Sequence, residues 1–366
     1  MQSLKVLIVD DSAVYRTQIT AALEGISWIE LVGTASNGRI ALERIESLKP
    51  DFVILDLEMP ELDGIATLKE MKQRRLRCKT LVFSSHSKKG SEITLQALSL
   101  GATDFVAKPD RQAGQEHGDS PSERIRSLIL PKLEALKPTQ VIHADSRRST
   151  TVTRASGVLW DIFKPRIVVI GSSTGGPTVL EKIVALLRPP LVVPIVIAQH
   201  MPPVFTATFA ERLSNISGIP ALEAEDQMPL ESGKIYVAPG DYHVRITGTT
   251  EDPLLTLDQG PKINSVRPAV DPLFESAAAV YGERCLAIVL TGMGSDGKAG
   301  AAAIKDRRGA VVLQDEQSCV VFGMPGAVFA AGNYDLVGDP EQIARWLNEK
   351  TSLQSPHIAS HGGRHV

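Results

Sequence analysis

The sequence predicts an α/β protein of two doubly wound parallel sheets. The N-terminal one is flavodoxin-like, and the C-terminal one carries a small antiparallel insertion. Three observations carry this. Short β-branched runs alternate with segments of helical period along both halves of the chain. Polar or glycine-rich residues follow the apolar runs, at the strand ends where ligands bind in such sheets. Between the halves, Thr139 to Ser156 is rich in Ser, Thr, Arg and Asp with almost no apolar period, which reads as a solvated tether.

A chain of 366 residues with 43% hydrophobic content is long enough for two cores. Its formal net charge of −3 gives no general attraction for nucleic acid or an anionic membrane, and Arg147-Arg148 in the tether is too sparse for a nucleic-acid arm. Cys78, Cys285 and Cys319 are odd in number and far apart, which argues for a reduced compartment and against both a disulfide framework and zinc. With no secretory segment ahead of Asp10 and no apolar run of membrane-spanning length, the expectation is a cytoplasmic protein without direct membrane insertion. His357, His361 and His365 recur every four residues, but Gly362 and Gly363 break any helix that would align them, so no metal site is expected in that tail.

In the first half, Lys5 to Val9, Glu30 to Ala35, Asp51 to Leu55, Thr80 to Phe83 and Thr103 to Ala107 read as strands. Helical spacing runs through Val14, Tyr15, Ile19, Ala22 and Leu23. It recurs over Gly38 to Leu48, Ile65 to Arg75 and Ser91 to Leu100, and an amphipathic helix follows from about Ser122 to Lys137. Gly114 to Ser120 reads as a polar surface loop. Parallel crossovers bring the carboxyl ends of the strands together, so Asp10, Asp11, Asp56, Ser84 and Lys108 should converge. Crowded carboxylates repel one another unless a divalent cation binds, and an all-oxygen set suits Mg²⁺. Lys108 and Ser84 add a cation and a hydroxyl for a phosphoryl group; each Asp alone could instead be an ordinary helix cap.

In the second half, Arg166-Ile167-Val168-Val169-Ile170 is a buried strand that runs into Gly171-Ser172-Ser173-Thr174-Gly175-Gly176-Pro177, a turn into a helix from Thr178 to Leu187. Backbone N–H groups and the helix dipole converge there, as suits either a phosphate or the oxyanion of a serine hydrolase. Pro194 to Ala198 is a strand ending at His200, and a helix covers Val204 to Leu213. Lys234 to Ala238, Tyr242 to Ile246 and Leu254 to Leu257 suggest an antiparallel insertion. Pro272 to Tyr281 is a helix, and Cys285 to Leu290 a strand that enters Gly292-Met293-Gly294-Ser295-Asp296-Gly297. Gly300 to Arg308, Ala310 to Leu313, Gly326 to Ala331 and Pro340 to Glu349 complete the alternation. Gly292, Gly294 and Gly297 fit a dinucleotide fingerprint, with Asp315 near the distance for a ribose ligand. Asp296 inside the turn would repel a pyrophosphate. Ser173, His200 and Asp296 each follow a buried strand, an arrangement in which an imidazole oriented by a carboxylate activates a hydroxyl.

Two resemblances follow from these motifs. Val9-Asp10-Asp11-Ser12, Leu55-Asp56-Leu57-Glu58-Met59-Pro60, Asp63-Gly64, Ser84, Gly101-Ala102-Thr103-Asp104-Phe105 and Lys108-Pro109 resemble a response-regulator receiver domain. That resemblance implies Asp56 as phosphoacceptor, Mg²⁺ held directly by Asp11 and Asp56 with the main-chain oxygen of Glu58 and, through water, Asp10, Phe105 as the aromatic switch position and a cis Lys108–Pro109 bond. Gly171-Ser172-Ser173-Thr174-Gly175-Gly176, Gln199-His200-Met201-Pro202, Tyr236-Val237-Ala238-Pro239-Gly240, the Leu290 to Gly297 run and Cys319-Val320-Val321-Phe322-Gly323-Met324-Pro325 resemble the catalytic domain of the chemotaxis protein-glutamate methylesterases. It implies Ser173 as nucleophile, His200 as base, Asp296 as its orienting partner, and Thr174 and Met293 as active-site lining, with no cofactor in the esterase site. Ser172 stands where that family often has Ala, and Ser295 where it often has Asn.

The organisation expected is a receiver over 1–120, a linker helix and tether over 121–164, a catalytic domain over 165–350 and an unstructured tail over 351–366. The function implied is a phosphorylation-activated esterase of the cytoplasm that acts on glutamate γ-methyl esters of chemoreceptor cytoplasmic domains, with deamidation of receptor glutamines by the same chemistry. A histidine kinase would be the phosphodonor and the role adaptation in chemosensory signalling. A phosphorylation-gated binding protein without catalysis is the alternative.

Overall fold

The structure is a computed structural model and describes residues 3–109, 120–137 and 160–352. The tether, the loop from Gly114 and the His-containing tail lie outside the described residues. The first domain runs β1 (Leu4–Val9), α1 (Ala13–Leu23), β2 (Ile29–Ala35), α2 (Gly38–Leu48), β3 (Phe52–Asp56), α3 (Gly64–Gln73), β4 (Lys79–Ser84), α4 (Lys88–Ser99), β5 (Asp104–Ala107) and α5 (Pro121–Ala135). Its five strands pair in parallel in the order β2-β1-β3-β4-β5, the flavodoxin-like arrangement whose switch point lies between β1 and β3. Side-chain caps start the helices: Ser12, Asn37, Asp63, Ser87 and Ser120 each accept a backbone N–H three residues on.

The second domain continues with β6 (Ile167–Ser172), α6 (Gly176–Ala185), β7 (Ile195–Gln199), α7 (Phe205–Ser217), β8 (Ala221–Glu223), β9 (Met228–Pro229), β10 (Ile235–Val237), β11 (His243–Gly248), β12 (Pro253–Asp258) and α8 (Val270–Tyr281). It closes with β13 (Cys285–Val289), α9 (Lys298–Asp306), β14 (Ala310–Gln314), α10 (Met324–Ala331), β15 (Leu336–Gly338) and α11 (Pro340–Thr351). Seven strands form one sheet, β15-β14-β13-β6-β7-β10-β8, all paired in parallel, and β11-β12-β9 form the antiparallel insertion. The strand at Lys234 to Ala238 therefore belongs to the main sheet and not, as expected, to the insertion. Three residues are too few to show an alternation, and the pairing with β7 and β8 is non-local.

Strands β13, β6 and β7 are fully buried apolar runs, as helices on both faces require. One apolar cluster crosses the domain boundary, joining Leu95, Leu98 and Phe105 of the first domain to Phe205 and Phe209 of the second. Val321, next to the second domain's glycine turn, packs against the first domain's other core, which includes Phe83 and Ile129. At this boundary Phe105 stacks on Phe205 with ring centroids 4.8 Å apart, and Thr174 Oγ1 donates to Asp104 Oδ2 at 2.9 Å. Ser91 and Thr208 hydroxyls meet at 2.7 Å, and Arg212 Nη2 donates to Ser99 Oγ at 2.6 Å.

Candidate active site

The switch point of the larger sheet lies at β6, flanked by β13 and β7. Ser173 and His200 directly follow β6 and β7, and Asp296 lies in the glycine-rich loop that leads from β13 to α9. His200 Nε2 lies 2.8 Å from Asp296 Oδ2, which leaves Nδ1 as the other ring nitrogen. Asp296 is buried, yet its carboxyl is held below the usual carboxylate range. Burial opposes this; His200, beside it, and backbone N–H donors outweigh the burial. Oδ2 also accepts from Val270 N at 2.6 Å, and Oδ1 from Asp271 N at 3.1 Å, Gly297 N at 3.0 Å and Asn264 Nδ2 at 3.0 Å. Val270 opens α8, so the positive end of that helix faces the carboxylate.

The turn that carries Ser173 is tied down from several sides. Ser172 is fully buried and donates to Gln199 Oε1 at 2.6 Å, whereas Ser173 is partly exposed. Gln199 Nε2 in turn donates to the carbonyls of Ser173 and His200 at 3.0 and 3.1 Å, which couples the two loops. Ser173 N donates to Thr291 O at 3.0 Å, and Thr291 Oγ1 to Thr174 O at 3.0 Å. Gly292 is required there, because a Cβ on it would lie 2.7 Å from Ser173 Cβ. Thr174 is buried at the boundary with the first domain, and Met293 is partly exposed at the rim. Asp315 accepts from Ser318 N at 2.8 Å and so closes a turn, the role that displaces it as a ribose ligand. A cavity of ≈ 670 Å³ lies at the amino ends of the strands, lined by Lys164, Arg166, Tyr281 and Lys350 among others, and holds none of Ser173, His200 and Asp296.

The second constellation lies at the carboxyl edge of the smaller sheet. Oxygens of Asp10, Asp11 and Asp56 lie within 4.8 Å of one another. Lys108 Nζ stands 2.8 Å from Asp56 Oδ2 and 3.1 Å from Asp10 Oδ2, over the ring of Tyr15 at 4.7 Å. Burial pushes Asp56 up to about 6 against the pull of Lys108, and raises Asp10 in the same way. Asp10 Oδ2 is buried, with Lys108 as its ion-pair partner. Three carboxylates with converging oxygens, and no His or Cys among them, fit a hard divalent cation. Glu58 turns its carboxylate outward to Ser85.

Ser84, which follows the Phe83 paired with Asp56, accepts from Thr94 Oγ1 at 2.6 Å and donates to Gly90 O at 3.3 Å, so its hydroxyl is engaged with α4. Phe105 is buried under Phe205. The Lys108–Pro109 bond is not among the cis bonds of the described residues, which are Pro189–Pro190 and Arg267–Pro268. Trans is the cheaper isomer by about 0.5–1 kcal/mol, and Lys108 reaches both acids without the cis form.

The response regulator receiver family model matches residues 6–116, and that of CheB methylesterase matches residues 168–347. A protein-glutamate methylesterase/protein-glutamine glutaminase of Trichodesmium erythraeum is 41% identical over 340 residues, covering 92% of this chain and 96% of the relative. The chain belongs to the CheB methylesterase family. By that membership it is a hydrolase with a receiver domain. A relative of the same name from Pyrococcus horikoshii is 36% identical and spans 100% of this chain. The crystal structure of the Thermotoga maritima CheB methylesterase catalytic domain is 44% identical, covers 51% of this chain and 98% of that one, and superposes with a TM-score of 0.50.

Sequence reasoning missed Gln199 as a coupling residue, Asn264 and Asp271 around Asp296, and Asp104 with Phe205 at the domain boundary. Gln199 lies in the Gln199-His200-Met201-Pro202 motif; Asn264 and Phe205 had no sequence signal, since Asp296 and Phe105 lie 32 and 100 positions away.

Proposed function

We propose that the chain is a phosphorylation-gated serine esterase that hydrolyses glutamate γ-methyl esters on chemoreceptor cytoplasmic domains, and that deamidates receptor glutamines by the same acyl chemistry. The observation that carries it is the His200–Asp296 pair at strand ends flanking Ser173, with the carboxylate held ionised by four N–H donors besides the ring. Ser173 Oγ attacks the γ-carbonyl carbon while His200 takes its proton. The tetrahedral intermediate expels methoxide, which leaves as methanol with the proton His200 returns. Water, deprotonated by His200, then hydrolyses the glutamyl-serine ester to the free carboxylate. Asp296 fixes the tautomer and balances the imidazolium. Ser172 is the less suitable nucleophile, because its hydroxyl is buried and committed to Gln199. Thr174 and Met293 line the site.

In the receiver, Asp56 accepts the phosphoryl group from a histidine kinase, with Lys108 Nζ 2.8 Å from its carboxylate. Asp10, Asp11, Asp56 and the main-chain oxygen of Glu58 would hold Mg²⁺, which neutralises charge on the phosphoryl oxygens. Lys108 holds one phosphoryl oxygen, and the Ser84 hydroxyl would turn from Gly90 O to donate to another. The gate is the contact of Thr174, next to the nucleophile, with Asp104, beside the Phe105–Phe205 stack. Phosphorylation opens it by favouring the undocked arrangement. The pathway places the protein in the cytoplasm; among the described residues no helix is long and apolar enough to cross a membrane.

An active-serine phosphonate probe tests the chemistry. Labelling should be lost in Ser173→Ala and kept in Ser172→Ala. Absence of labelling in the wild type would instead favour a binding protein.

A further inference from the structure

We propose that Asn264 is a positioning residue for the esterase reaction, whose side-chain amide holds Asp296 facing His200 and separates it from a second carboxylate, Asp271. The proposal rests on the serine-esterase reading above.

Asn264 and Ser265 are the central residues of a two-residue turn. Ile263 and Val266 exchange backbone hydrogen bonds at 3.2 and 3.0 Å across it. Both central residues are left-handed, at φ 53° and 66°, as a type I′ turn demands, yet neither is glycine. Asn tolerates that region better than most side chains, whereas Ser pays for it. The tip delivers one amide inward: Asn264 Nδ2 donates to Asp296 Oδ1 at 3.0 Å and to Asp271 Oδ2 at 3.1 Å. Asn264 is otherwise exposed, so these two acids, and not burial, hold its side chain.

The two carboxylates divide the remaining donors. Asp271 Oδ1 accepts from Gly300 N at 2.7 Å, in the first turn of α9, and Asp296 takes the N–H groups of Val270, Asp271 and Gly297. The groups that face the pair are thus His200, the amino ends of α8 and α9, and Asn264. Asp271 is pushed up to about 6, by burial first, and Asp296 is held down. Such a split fits a pair in which one member carries the proton and the other the charge. An amide that donates one site to each supports the ionised form of Asp296 and keeps a shared proton from bridging the pair. Without it, Asp296 loses its one side-chain donor besides the His200 ring among the described hydrogen bonds, and Oδ1 is left with the N–H groups of Asp271 and Gly297 alone.

The informative variant is Asn264→Gly, which suits the left-handed turn and removes only the amide. Methanol release from membranes carrying a methylated chemoreceptor should fall about 10- to 100-fold in kcat, with KM within about twofold, as for a misaligned catalytic group. The acid limb of the kcat–pH profile should move to higher pH, because the carboxylate pair binds its proton more tightly. Ser265→Gly, on the same turn, should keep both the wild-type kcat and the wild-type limb. Adding Asp271→Asn to Asn264→Gly should recover most of kcat and return the limb. Asn264→Asp, which keeps the turn and adds a third acid, should lose more than Asn264→Gly. A wild-type kcat and acid limb in Asn264→Gly, with phosphonate labelling still dependent on Ser173, overturns this proposal alone. An equal loss in Ser265→Gly overturns it too, since the turn and not the amide would then matter. Labelling that ignores Ser173→Ala overturns the esterase reading and this proposal with it.

Discussion

Asp56 and Asp296 sit in matching places, each buried at the carboxyl edge of a parallel sheet with a cationic or ionisable partner 2.8 Å away. Their environments push them in opposite directions. Asp56 receives a single long backbone bond, from Glu58 N at 3.4 Å, and has two other acids for neighbours; it rises to about 6. Asp296 lies at a helix N-terminus and collects three backbone N–H groups and an amide; it falls. Burial raises both; at Asp296 it is outweighed by His200 first and then by the backbone donors, whereas at Asp56 Lys108 does not outweigh it. The acid-rich site suits a divalent cation and a phosphoryl group, and the donor-rich site keeps a carboxylate ionised to orient a base.

The comparison breaks first at the hydroxyl that Asp296 serves. Ser173→Ala should lower methanol release by at least about 10³-fold, while Ser172→Ala stays within about tenfold. Equal losses in steady-state kcat would show that Ser172 and Ser173 share the chemistry. Replacing the anchor comes next. Asp296→Asn should cost on the order of 10²–10⁴-fold in kcat, because the imidazole then loses both its orientation and its counter-charge. The same change at Asp56 should leave basal hydrolysis intact and abolish phosphodonor labelling.

A smaller effect is expected where the two domains meet. Asp104→Ala removes the acceptor of Thr174 and the partner of Lys132 Nζ at 2.5 Å, and should raise basal methanol release by about 3- to 10-fold, the equivalent of one charged hydrogen bond lost from the docked state. An unchanged basal rate, with an unchanged response to phosphodonor, would remove this contact from the gate.

The smallest effect concerns pH. Asp271 has a folded pKa raised to about 6 from 3.8, so its contribution to stability is greatest below the unfolded value and is lost as pH rises through about 6. Between pH 4 and 7 the loss is on the order of 1–2 kcal/mol, discounted for the coupling to Asp296. Thermal melts of Asp271→Asn should therefore depend less on pH over that window than those of the wild type. A steeper dependence in the variant would reverse the sign assigned to this group.

Much of both sites was legible because each lies directly after a buried strand, and parallel topology forces such ends together. Asp10, Asp11, Asp56 and Lys108, and likewise the strands leading to Ser173, His200 and Asp296, follow from that rule alone. What the sequence did not show depends on side-chain direction and distant pairing. Ile235–Val237 is too short to declare which sheet it joins, and the Ser84 hydroxyl could face either Asp56 or Thr94. Phe205 follows Val204, a β-branched residue at φ 74°, so the entry to α7 is a backbone conformation that no local pattern announces. Asn264 reaches its acids only because a two-residue turn folds back over α8, and Asn-Ser carries little turn signal without a glycine.

The central claim is that the receiver site controls the esterase site. It is tested most directly by the rate of methanol release from methylated receptor membranes, with and without a small-molecule phosphodonor and Mg²⁺, in the wild type and in Asp56→Asn. The account predicts acceleration by the donor in the wild type and none in the variant. Acceleration that survives Asp56→Asn, or none in the wild type, would contradict it.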